Sequence, residues 1–109
     1  MAALSIDYRE TVIARIQREP EFARALLEDV INMTANGEAA EARETLRMLV
    51  HASGGFESMA ERTHINAKSL HRMLGPKGNP AFSAVSTVMA EISQSILHAR
   101  ASIQLEAAT

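Results

Sequence analysis

Residues 56–74, FESMAERTHINAKSLHRML, read as two short helices joined by a tight connection. Met59 and Ala60 fall on the inner face of the first helix, Ile65 plugs the turn, and Leu70 and Met73 form the inner face of the second. Helices that cross steeply need a small side chain where they approach, and Ala60 supplies it. Asn66 is a good N-cap, so the second helix starts there and leaves Ala67, Lys68, Ser69, His71 and Arg72 on its outer side.

Upstream, a helix is predicted from Asp7, with Glu10 completing a capping box and Tyr8, Val12 and Ile16 sharing a face. Glu19 and Pro20 end it, and Pro20 suits the first position of a second helix because its missing N–H would be unpaired there in any case. Phe22, Leu26, Leu27, Val30 and Met33 form that helix's apolar stripe, which Asn36 and Gly37 close. A third helix over roughly 38–52 places Ala42, Leu46, Leu49 and Val50 on one side before Ser53, Gly54 and Gly55 stop it. Downstream, Gly75-Pro76-Lys77-Gly78-Asn79-Pro80 forms a loop, since two prolines and two glycines in six residues cannot continue a helix. Ser83 then caps a last helix over 83–106 with Val85, Val88, Met89, Ile92, Ile96 and Ala99 in helical register. Ile103-Gln104-Leu105-Glu106 is either the frayed end of that helix or a short strand.

Composition agrees with this reading. The 109 residues are 47% hydrophobic, and with one Tyr, three Phe and no Trp they favour helix formers over strand formers. One all-α domain follows, a compact bundle of about six helices with N-terminal helices over 7–52 and the paired short helices over 56–74. With no cysteine there is no disulfide framework or thiolate metal site, and neither a secretory leader nor a membrane span is visible, so a cytoplasmic protein is expected. The four histidines, at 51, 64, 71 and 98, are scattered and Glu61 with His64 lacks a second ligand pair. No metal, cofactor or catalytic residue is therefore predicted, and nothing supports an enzyme. The formal charge of −2 hides an asymmetry: residues 1–57 carry ten acidic against six basic side chains, residues 58–109 three against five. Arg62, Lys68, Arg72 and Lys77, with His64 and His71 among them, occupy a window with no carboxylate, which is where an anion would bind.

The paired helices resemble the helix-turn-helix of the Cro and phage-repressor superfamily. With the Gly54-Gly55-Phe56 lead-in, Ser69-Leu70-His71-Arg72-Met73-Leu74 and the loop running on to Phe82-Ser83, about residues 38–97 resemble the antidote proteins of bacterial addiction modules, HigA-like antitoxins. In that family the turn position held here by His64 is usually glycine, because the turn needs a positive φ. The resemblance implies a transcriptional regulator whose second helix enters the major groove of operator DNA as a homodimer. Asn66, Lys68, Ser69, His71 and Arg72 are then the candidates for base and phosphate contacts, with Lys77 on a phosphate. It also implies that the acidic N-terminal helices are free to hold a small basic toxin of the RelE and HigB kind. The alternative is a helical module that keeps the fold and binds only a protein.

Overall fold

The computed structural model describes residues 6–108. Six helices follow one another: α1 (Ile6–Arg18), α2 (Pro20–Ala35), α3 (Ala39–Ala52), α4 (Gly55–Thr63), α5 (Ala67–Met73) and α6 (Phe82–Ala108). The fold is all-α, and no strand occurs among the described residues. α3 lies at the centre with α1 and α2 against it, while α6 closes the other side by packing on α2, α3 and α4. α5 rests on α4.

The expected stripes form the core. Val30, Ala42, Leu46, Leu49, Val50, Met59, Leu70, Val88, Ile92 and Ile96 are buried, with Phe22, Leu26, Leu27, Met33, Ala60, Ile65, Met73, Val85 and Met89 packed around them. Pro20 is the first residue of α2, as its lost donor requires. At the other end, Gly37 takes φ +80° while Glu38 N–H donates to the Met33 carbonyl at 2.8 Å, the bond that closes a Schellman turn.

Three expectations are corrected, and one open alternative is decided. α1 includes Ile6, so Asp7 lies within the helix and is not its cap. Tyr8 is 54% exposed, because the buried side of α1 is formed by Val12, Ile13 and Ile16 instead. α6 begins at Phe82, one residue before the expected cap, and the first turn closes through Val85 N–H to the Ala81 carbonyl at 3.2 Å. Residues 103–106 are helical, not a strand, since α6 runs on to Ala108 and no neighbouring strand offers backbone partners.

Three arginines tie the bundle to the paired short helices. Arg62, half-buried, donates from Nη2 to the Ser53 carbonyl at 2.7 Å and from Nη1 to Ser95 Oγ at 2.9 Å, joining the end of α3 to α4 and α6. Arg43 donates to the Gly75 and Pro76 carbonyls at 3.2 and 3.1 Å, and Arg47 reaches the Leu74 carbonyl at 3.5 Å. Arg47 thereby serves the carbonyl of the residue that caps α5, where a cation also meets the negative end of the helix dipole, and Arg43 holds the loop that follows.

The loop after α5 folds back on that same helix end. Gly78 N–H donates to the Gly75 carbonyl at 2.9 Å, and a Cβ on Gly78 would fall on the Met73 carbonyl and lie 2.9 Å from that of Arg72. Only glycine fits there. Gly78→Ala is expected to cost about 1–3 kcal/mol through this overlap, read as a lowered midpoint in urea. Arg62→Met is expected to cost about 2 kcal/mol, because two buried-side charge-assisted hydrogen bonds disappear together. An unchanged midpoint in that variant would show that the Ser53–Arg62–Ser95 bridge adds nothing.

Candidate nucleic-acid interface

The connection between α4 and α5 is built by local chemistry. His64 sits at φ +60°, ψ +26°, the only described non-glycine residue with positive φ, and its N–H donates to the Ala60 carbonyl at 2.8 Å. The left-handed position that the resemblance implies is therefore present, and histidine occupies it at less cost than a bulky or β-branched side chain would incur. Thr63, buried, donates from Oγ1 to the Met59 carbonyl at 2.7 Å and accepts from Ile65 N–H at 3.3 Å, which locks the turn from inside. Asn66 caps α5: its Oδ1 accepts from Lys68 N–H at 2.8 Å.

With Leu70 fully buried beneath α5, the opposite side faces outward. Lys68 and Arg72, one helical turn apart, are both exposed, and so are Asn66, His71 and Lys77. Ser69 is half-buried at the flank of the helix. Among the described residues, no ion pair engages Lys68, Arg72 or Lys77. Two members of the basic window have other duties: Arg62 turns into the body, and His64 makes the turn. The outward cations are accordingly Lys68, Arg72 and Lys77.

His71 is exposed yet not free-standing. Its ring stacks on Phe56 with centroids 3.9 Å apart and 16° between planes, while His51 of α3 meets the same phenyl ring edge-on at 5.1 Å. Arg47, one turn before His51, has its guanidinium carbon 5.9 Å from that ring centre. Phe56 itself is 5% exposed. One aromatic ring thus gathers groups from α3, α4 and α5. Arg47 and His51 escaped the sequence reading, although their i,i+4 spacing placed them on one side of α3; nothing local revealed that this side borders α5.

His51 is held below the ordinary histidine range, first by partial burial, then by Arg47 and His71, with Glu44 acting the other way. Glu44 is itself engaged by Arg9 of α1 at 3.1 Å. Elsewhere, an open apolar groove of about 530 Å³ lies between α2, α3 and the start of α6, with Leu46, Leu74, Val85 and Met89 in its walls and Phe82, 83% exposed, at its edge. No cluster of three metal-ligating side chains occurs among the described residues. Among them too, no helix is long and apolar enough to cross a membrane.

The chain matches no family model, no curated protein and no solved structure.

The lowered His51 pKa has a definite sign. The unfolded chain, with a histidine pKa near about 6.5, takes up the proton before the folded one does, so stability falls as pH drops through that value. His51→Gln should flatten this part of the slope in urea titrations between about pH 7 and 5. A His51 Cε1–H resonance titrating at or above the free-histidine midpoint would contradict the arrangement.

Proposed function

We propose that this chain is a sequence-specific DNA-binding transcriptional regulator, working from the cytoplasm as a homodimer. The observation that carries the reading is α5 itself: a capped helix set on a tight left-handed turn, whose outward side presents unpaired Lys68 and Arg72 in a stretch without a carboxylate from 62 to 90. A major groove admits one helix, and acceptor atoms on guanine and the flanking phosphates suit those two side chains. Lys77 stands on the loop that Arg43 and Gly78 hold against the end of α5, where it meets a phosphate. Asn66 commits its side-chain oxygen to the cap and retains its amide N–H groups for a base edge or phosphate. His71, backed by Phe56, offers one ring edge to the same surface. No catalytic step is assigned to any residue.

Few cations serve one such surface, so one copy binds weakly and a second copy on a two-fold site supplies the remaining contacts. An antitoxin role fits the same reading, with a small basic toxin of the RelE and HigB kind held by the acidic N-terminal half. A second reading, a protein-binding module without DNA recognition, is favoured by the exposed Phe82 beside its apolar groove.

Mobility-shift titration with duplex from just upstream of the reading frame tests the proposal. Arg72→Ala is expected to lose about 1–3 kcal/mol of binding and to relax sequence preference, and Lys68→Ala to weaken all duplexes and lower the salt slope by about one. Folded protein that leaves the duplex unshifted at about 50 mM salt would overturn DNA recognition in favour of the module.

A further inference from the structure

α6 is longer than the body that it closes. At ~1.5 Å per residue its 27 residues span about 40 Å. Arg100 ties this stretch to the body, its Nε donating to Glu21 Oε1 at 2.9 Å, and residues 101–108 beyond it are all exposed. The stripe that faces the core, Val88, Ile92, Ile96 and Ala99, does not stop there: the same three- and four-residue spacing carries it on to Ile103 and Ala107. Ile103 is 48% exposed. Just behind it, a shallow apolar cavity of about 110 Å³ opens among Ile16, Pro20, Ala23, Ile96 and Ala99. The core side of the helix therefore continues past the core, uncovered.

The chemistry of this stripe is complementary to itself. About a two-fold axis through Ile103, positions equally distant on either side meet. Arg100 then lies across from the partner's Glu106, and Ala99 across from the partner's Ala107. Opposite charges pair and small residues let the helices approach, while the two isoleucines meet on the axis. Arg100 need not leave Glu21, because a guanidinium carries five donors and its Nε serves that carboxylate. The partner's last turn would also cover the cavity at Ala99. We propose that the end of α6 pairs antiparallel with the same segment of a second copy, with Ile103 on the two-fold axis. This surface would serve the two-fold DNA site proposed above, and it rests on that reading for its use. The overlap, about eleven residues or ~16 Å of helix, is below the size of a standard interface, so the dimer should dissociate in the micromolar range.

The chain contains no cysteine, so a single introduced one reports on its own neighbourhood. Ile103→Cys places two thiols on the axis within disulfide reach, whereas Leu105→Cys, at a more exposed position (69%), points to the other side of the helix. Under mild oxidation of the full chain, Ile103→Cys is expected to form the cross-linked dimer at least tenfold faster than Leu105→Cys. Equal rates, or a faster Leu105→Cys, would overturn the pairing. Sedimentation equilibrium gives a second reading: the unaltered chain should be dimeric at about 100 µM, and Ile103→Glu monomeric with its helical circular dichroism intact. A monomeric unaltered chain, or a dimer indifferent to Ile103→Glu, would equally refute it. Neither readout contains DNA, so loss of DNA binding with the cross-link retained would remove only the proposed function.

Discussion

A helix of seven residues does not persist alone in water, because the cost of its first turn is spread over too few hydrogen bonds. α5 exists because Leu70 and Leu74, both nearly inaccessible, are withdrawn from solvent into the cluster that includes Met59, Val88 and Ile92. Each such side chain contributes roughly 1.5–3 kcal/mol by burial, several times what the helix could draw from intrinsic propensity. The outward side of α5 is thus a consequence of its inward side. Lys68 and Arg72 point where they do because the residue between them, Leu70, has nowhere else to go.

The arginines and lysines divide along the same line. Arg43, Arg47 and Arg62 spend their donors on carbonyls and hydroxyls of the chain itself, fixing the end of α5 and the join of α3, α4 and α6. Among the described residues, Lys68, Arg72 and Lys77 have no such partner and remain available to an outside anion. The inward cations are held by hydrogen bonds that compensate their desolvation, whereas the exposed ones keep their hydration until something replaces it. Counting positive residues along the chain merges these two populations; only their surroundings separate them. Phe56 works between them, since its ring is core on one side and a platform for His71 and His51 on the other.

Away from α5, the apolar surface beside Phe82 and that at the far end of α6 have different origins. The groove beside Phe82 lies where the loop after α5 brings Asn79 and Pro80 between α2, α3 and the start of α6. The far end of α6 is exposed for a simpler reason, that the helix outruns α1 and α2, which are 13 and 16 residues long against 27.

Periodicity and punctuation were enough for the sequence to determine the all-α class, the order of helices, the core stripes, Pro20 at the start of α2 and the Asn66 cap, while the positive φ at His64 was implied only by the resemblance. Those features depend on residues within one or two turns of each other, so the information is local. The misplaced first cap and the strand considered for 103–106 arose where local signals were ambiguous and no neighbour could be consulted. Tertiary structure alone decided that Arg62 faces inward, that Arg47 and His51 stand beside α5, and that His71 lies flat on Phe56. Each of those outcomes turns on residues nine to thirty-three positions apart being brought together by packing, a distance over which side-chain spacing carries no directional information.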